Sequence, residues 1–438
     1  MASLRARYAL AVVGLVVVLG AISVALYLFL IEQRFSLPNT FVQTSMWVLL
    51  TFLLLLIGRY MALLWFSYLN HLDGDVPEPS RLPLISILVP AYNEGAVIQG
   101  SIRSLLSLDY PRYEVLVIDD GSKDKTYLYA RQFEGEHGRA TVRVFRKKNG
   151  GKSRALNFGI ERSQGEFILC MDADSTLAPQ TLRKAVRHLV DSPSVGAVAG
   201  SVKVVNRTNW LSKLQALEYI EGLNMVRSAQ GFFRLVNIIP GPIGLFRRAA
   251  LESVGGYDHD TFAEDCDLTL KLIARGWQVK YEPGAAARTE APEGLLDLLK
   301  QRYRWTRGIL QAIAKHKQRL IDPRAGLGLT FTLWYMIFEG ILWPAMNVFG
   351  NVLFVFVATK YGAALPLVIW FAQLTVLDLA AALYCVSVEE ESMALVPYAI
   401  YYRAFFALIV DMAKLFATVE ELCKFKMDWG KLDRLGRI

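Results

Sequence analysis

Asp172-Ala173-Asp174 sets two carboxylates one residue apart, directly after the short apolar run 167–171. A pair at the end of a strand can hold a hard divalent cation against phosphate oxygens, because Mg2+ and Mn2+ prefer oxygen ligands. A solvated turn is the bland alternative. A second acidic stretch, Asp119-Asp120-Gly121-Ser122, follows the apolar run 114–118. It offers acceptors for a nucleotide base and ribose, or else an ordinary Asp-Gly turn. Asn149-Gly150-Gly151-Lys152-Ser153-Arg154 is a glycine turn that enters a helix with two cations, a pattern able to cradle a diphosphate at a helix N-terminus. It is not a P-loop, since Arg146 stands where the first glycine of that pattern would fall. Glu264-Asp265 precedes the periodic apolar stretch 268–273. An acidic pair there suits the helix dipole. The sharper reading makes Asp265 a general base, a role worth roughly 10²–10⁴ in rate. Gln301-Arg302-Tyr303-Arg304-Trp305 gathers an amide, two guanidiniums and an indole just before hydrophobic sequence returns. This would suit a charged, ring-containing substrate. A basic helix with an interfacial Trp accounts for its location equally well.

Elements must carry these residues to one place. Residues 84–90, 114–118, 141–145 and 167–171 read as short strands separated by helix-like segments, with polar residues at the strand ends. That alternation indicates an α/β domain, in which ligands sit at the carboxyl ends of the strands. Residues 292–317 read as an amphipathic helix with Leu295, Leu298, Leu299, Trp305, Ile309 and Ile313 on one side, the pattern of a helix lying on a membrane.

The 438 residues are 53% hydrophobic with a mean hydropathy of +0.30, which excludes an ordinary soluble domain. The net charge of +8 fits anionic lipid or an anionic substrate. Residues 8–30, preceded by Arg5 and Arg7, form an apolar run of spanning length; an anchor with its N-terminus inside is favoured over a signal peptide. Residues 45–69 return the chain, and 73–80 form a linker. Hydrophobic blocks follow at 327–358, 365–388 and 395–419. Five crossings would leave the basic tail 424–438 outside, against the usual charge bias. One block is therefore expected to be re-entrant or interfacial. The candidates are the overlong first block, with Pro344, and the last, which carries Arg403, Asp411 and Lys414. Cys170, Cys266, Cys385 and Cys423 lack metal or disulfide spacing and read as reduced packing residues.

Together, and in this order, Pro90-Ala91-Tyr92-Asn93-Glu94, Asp119-Asp120-Gly121-Ser122, Gly151-Lys152, Asp172-Ala173-Asp174, Glu264-Asp265 and Gln301-Arg302-Tyr303-Arg304-Trp305 resemble the family 2 glycosyltransferases, specifically the processive membrane polysaccharide synthases. The resemblance covers about residues 85–311. It is nearest the bacterial poly-N-acetylglucosamine synthases, with cellulose, chitin and hyaluronan synthases more distant. One departure is Ala263, where the family usually has Thr before the acidic pair.

The resemblance implies a GT-A α/β domain (80–290) between two N-terminal spans (1–72) and a C-terminal membrane region (325–423), with an interfacial helix (291–320) and a basic tail (424–438). Asp119 and Asp120 would contact the uracil and ribose of a UDP-sugar, and Lys152 would lie near the nucleotide. Asp174, with Asp172, would bind Mg2+ or Mn2+. Asp265, beside Glu264, would be the catalytic base. Gln301 and Arg304 would bind the diphosphate, and Trp305 would stack on the acceptor sugar. The implied partners are a UDP-sugar donor, the growing polysaccharide, the lipid bilayer, a small accessory membrane subunit and export machinery, with no nucleic acid. The implied location is the bacterial inner membrane, with the catalytic domain cytoplasmic. A non-processive enzyme making a glycolipid is the alternative within the family, although such enzymes often lack the Gln-x-x-Arg-Trp element. A transporter or a degenerate subunit is the alternative from another class. About half the chain reads as soluble and the acidic positions are intact, which disfavours both.

Overall fold

The computed structural model describes residues 40–72, 76–322, 326–362 and 365–425, with Gly436 and scattered positions between 10 and 28. Most of the first expected span (8–30) and most of the basic tail lie outside the described residues. The strands are β1 (Ile85–Ala91), β2 (Tyr113–Asp119), β3 (Gly135–His137), β4 (Ala140–Arg146), β5 (Phe167–Cys170), β6 (Ser175–Leu177), β7 (Val195–Val204), β8 (Gly244–Arg247) and β9 (Gln278–Thr289). They form one mixed sheet in the order β3-β4-β2-β1-β5-β8-β7-β9-β6. Strands β4, β2, β1 and β5 run parallel, whereas β8 is antiparallel to both β5 and β7.

Burial explains these elements. Every residue of β1, β2 and β5 is buried, as expected of parallel strands covered on both faces. Alternate residues feed two cores. Ile85, Ile87 and Val89 join one core, and Leu88, Leu116 and Ile118 join the other. Nearer the edge, β4 alternates buried and half-buried positions. The first core continues without a break into apolar helices, through Leu49, Leu53, Leu56 and Leu64. The parallel strands end on the same side. Asp119 closes β2, and Asp172 and Asp174 follow β5.

Four helices among the described residues are long and apolar enough to cross a bilayer: Gln43–Leu72, Leu327–Tyr361, Leu367–Val388 and Met393–Leu422. Several of their charged residues are paired. Arg403 grips Asp378 through Nε and Nη2 at 2.6 and 2.9 Å, the Tyr60 hydroxyl donates to Asp378 at 3.1 Å, and Arg59 meets Glu339 at 2.5 Å. A helical stretch from Trp210 to Phe232, passing through a π-helical turn at Tyr219–Asn224, joins the sheet to these helices. Phe232 and Phe233 pack on Phe66 at 5.5 and 4.6 Å.

The amphipathic helix is Leu295–Lys315. Part of its apolar face packs on protein, while Leu295 at its start is exposed. Leu298 is buried with Leu211, Leu214, Phe406 and Val410, and Ile313 belongs to the second core. Three cysteines are buried as expected, but Cys423 is exposed.

Candidate active site

Lys152 begins the helix Lys152–Arg162, and its ammonium joins two motifs far apart in sequence. It lies 2.6 Å from Asp172 Oδ1 and 2.8 Å from Glu264 Oε1. Burial opposes its charge, but Asp172, Glu264 and Asp265 hold its pKa well above the ordinary lysine value. A cleft beside it is lined by Pro90, Met171, Gly241, Tyr257, Glu264 and Asp265, among others. It opens at the carboxyl ends of β1 and β5, where ligands of α/β sheets bind.

Asp265 is half-buried in the first turn of the helix Glu264–Ala274. Burial, and then the neighbouring Glu264, push its carboxyl up to about 6, while Lys152 and the Cys266 N–H (2.8 Å) pull it down. A carboxylate tuned towards neutrality is suited to accept a proton near pH 7.

Asp119 and Asp120 sit at the neighbouring strand end. Asp120 accepts from the backbone N–H of Gly150 (3.0 Å) and Gly151 (2.7 Å) and from Lys147 Nζ (2.5 Å). These glycine N–H groups, which the sequence suggested for a diphosphate, are spent on Asp120. Asp119 is fully buried, 3.2 Å from the Arg146 guanidinium. The Pro90–Glu94 segment is tied to the same corner, with Asn93 N donating to Ser122 Oγ at 2.9 Å and Lys123 N donating to Asn93 Oδ1 at 2.8 Å.

The segment 301–305 approaches from the membrane side. Arg302, not Arg304, is the buried guanidinium. It pairs with Glu218, donates to Gln301 Oε1 at 2.6 Å and lies 4.3 Å from the Trp305 ring centre. Arg304 and Trp305 are half-buried. Tyr219 stands 6.4 Å from the Trp305 ring centre. The helix is locked to the candidate base by a close approach. A Cβ on Gly308 would fall 2.6 Å from Ala263 N and 2.7 Å from Ala263 Cβ.

Two carboxylate groups could hold a cation. Asp258, Asp260 and Asp267 bring oxygens within 4.8 Å of one another, but the Lys315 ammonium already sits among them at 2.6, 2.8 and 2.9 Å. Asp172 is partly open, at 28% exposure, with Asp174 two residues on. Their oxygen donors at a strand end fit a hard divalent ion, with Lys152 as the resident counter-charge. Sequence reasoning missed Tyr257, Lys147 and Gly241. The last has a detectable signal, Pro240-Gly241-Pro242: a Cβ on Gly241 would lie 2.7 Å from Asp172 Oδ2 and 2.9 Å from Lys152 Nζ.

Several known proteins are similar to this chain. A poly-beta-1,6-N-acetyl-D-glucosamine synthase from Staphylococcus epidermidis is 31% identical over 264 residues, covering 60% of this chain and 62% of that protein. Its counterpart in Staphylococcus epidermidis strain RP62A is 34% identical over 231 residues, covering 53% and 56%. One from Staphylococcus aureus (strain COL) is 30% identical over 258 residues, covering 59% and 61%. The chain thus spans less than two thirds of the length of these relatives. A mannosyltransferase from Pyrobaculum calidifontis, solved in complex with GDP-Man and Mn2+, superposes with a TM-score of 0.62 at 23% identity, covering 88% of this chain and 100% of that one. That likeness bears on the fold, and the mixed sheet is GT-A-like, as the motif order implied. The family model described as "Glycosyltransferase like family 2" matches residues 83–308, just over half of the chain, and the protein belongs to that family.

Proposed function

We propose that the protein is an inverting, processive glycosyltransferase that polymerises a UDP-sugar, UDP-GlcNAc above all, into a β-linked polysaccharide. The observation that carries the proposal is the Lys152 bridge. It draws Asp172 and Glu264 to one ammonium beside a half-buried Asp265, in a cleft at the strand ends. The identity to poly-beta-1,6-N-acetyl-D-glucosamine synthases supports the choice of sugar.

In this reading Asp265 takes the proton of an acceptor hydroxyl. The oxygen bonds to the anomeric carbon as the bond to the diphosphate breaks, and attack from the opposite face inverts an α-linked donor to β. Asp172 and Asp174 would hold Mg2+ or Mn2+, which supplies Lewis-acid neutralisation of the leaving diphosphate. Gln301 and Arg304 would add fixed dipole and charge there, Trp305 would stack on the acceptor sugar, and Asp119 and Asp120 would shape the nucleotide corner. The charges on the crossing helices, buried Asp378 on Leu367–Val388 and the Arg59–Glu339 pair, support synthesis coupled to export, since intramembrane charges mark water-lined paths.

The test is to give the purified full-length protein individual radiolabelled UDP-sugars with Mg2+ or Mn2+, then digest the product with linkage-specific hydrolases. A polymer from UDP-GlcNAc, cut by a β-1,6-specific enzyme, is expected. A single transfer to lipid, or polymer from another sugar alone, overturns the respective part. Sealed inverted vesicles should accumulate polymer inside, and polymer found wholly outside contradicts export.

A further inference from the structure

The last apolar helix, Met393–Leu422, has the length and hydropathy of a span, but its contacts are not those of a span. We propose that it does not cross the bilayer. It lies in the plane of the membrane surface that faces the α/β domain, and its partner is the headgroup–acyl boundary of the lipid.

Both ends of the helix rest on the α/β domain and the helices docked to it. Just before its start, Glu391 pairs with Arg207 at 2.6 Å and Lys203 at 3.0 Å, and Asn224 donates to Glu389 at 3.2 Å. At its end, Arg307 meets Glu421 at 2.7 Å and the Phe425 carbonyl at 2.6 Å, while Tyr303 donates to Glu420. Arg307 and Tyr303 belong to the helix Leu295–Lys315, which is fixed to the domain by Gly308 against Ala263 and by Lys315 on Asp258, Asp260 and Asp267. The two ends are roughly 45 Å apart along the helix, more than the roughly 30 Å hydrocarbon core. A crossing helix would need α/β-domain partners on both faces of the membrane.

The middle of the helix agrees. Arg403 lies 5.9 Å from the Trp343 ring, and Asp411 accepts from Asn347 at 2.7 Å. Arg403 and Asp411 are roughly 12 Å apart along their helix, Trp343 and Asn347 roughly 6 Å apart along theirs. These contacts seat the middle of the last helix on the stretch Trp343–Asn347 of the neighbouring span. The sides of the last helix differ as well. Arg403, Phe406, Asp411 and Ala417 are buried, while Met412, Phe416 and Val419 present an exposed apolar stripe at helical spacing. A stripe of this kind embeds about 5–10 Å into the interface. The π-helical turn at Tyr402–Phe406 is the kind of insertion that bends a helix. With this helix in plane, the chain reaches the basic tail on the side of the α/β domain, which removes the conflict between five crossings and the charge bias.

The test uses the full-length protein in sealed membrane vesicles of both orientations and a membrane-impermeant maleimide. Native Cys423, the one exposed cysteine among the described residues, should label from the domain face. On a Cys423→Ser background, Ser392→Cys should label from that same face and Lys360→Cys from the opposite one. Labelling of Cys423 from the Lys360 face overturns the proposal. Nitroxides introduced by Met412→Cys, Phe416→Cys and Val419→Cys should report one shared shallow depth. A steady change of depth through the series, or a depth at the bilayer centre, overturns the in-plane orientation even if Cys423 labels from the domain face. Neither readout depends on which sugar the protein uses.

Discussion

Two lysines in this molecule each bind several carboxylates, and they do opposite things. Lys315 meets Asp258, Asp260 and Asp267, with Lys271 and His316 as further cationic or donor partners. Lys152 meets Asp172 and Glu264 with Asp265 close by, and among the described residues no second cation forms an ion pair with these three. Where positive partners match the carboxylates, acids are held low. Burial works against Asp267, but hydrogen bonds from His316 and Lys315 keep its pKa below the ordinary value. Where they do not match, burial and Glu264 win and Asp265 rises to about 6. A balanced cluster is a clamp. One short of positive charge has reason to take up a metal ion and a proton.

The largest expected difference comes from the metal side. Asp172→Asn together with Asp174→Asn should lower polymer formation by on the order of a hundredfold, and added Mn2+ should not restore it. Full activity in that variant would remove the cation site from the cleft. Next is the joint between the two clusters. Gly308→Ala inserts a methyl 2.6 Å from Ala263 N and should push the helix off the base, with a loss of roughly ten- to a hundredfold. Unchanged turnover would mean that this contact positions nothing. Smaller and pH-dependent is Lys152→Gln. Lys152 lowers the Asp265 pKa, so its removal raises that pKa. A base must be unprotonated, so activity should drop as pH falls through a point higher than in the wild type. A one-unit shift costs about fivefold at pH 6 and little at pH 8. An acidic limb that stays put would separate Lys152 from the base. Smallest in activity is Lys315→Met. Turnover per folded molecule should hold within about twofold, while stability drops by roughly 1–3 kcal/mol. Because Asp267 is held low, the clamp's contribution is present above the ordinary carboxylate pKa of about 4 and fades as pH falls towards the folded value. Thermal denaturation at pH 7 and again at about pH 2 reads both effects.

Much of this was legible in the sequence. The strands β1, β2, β4 and β5 appear within a residue or two of their expected positions, because parallel central strands write themselves as continuous apolar runs. Asp172, Asp174, Glu264 and Asp265 stand out by their position at strand or helix ends. The rest depends on contacts between distant segments. Strand β7 is rich in Gly and Ala, and β9 carries Pro283-Gly284 with a register shift against β7, so neither has a clear period. The helical stretch from Trp210 to Phe232 shares its apolar residues between the sheet and the membrane helices and so lacks one clean stripe. That Arg302 rather than Arg304 is the buried guanidinium follows from Glu218 lying opposite it, which spacing alone cannot reveal. The same holds for the Lys152 bridge between Asp172 and Glu264.

The most direct test of the central claim is to measure UDP binding and polymer formation together in Asp265→Asn. The account predicts wild-type affinity for UDP and no polymer above background across pH 5–9. Wild-type-like polymer from that variant would contradict it, because the proton of the attacking hydroxyl would then have another acceptor.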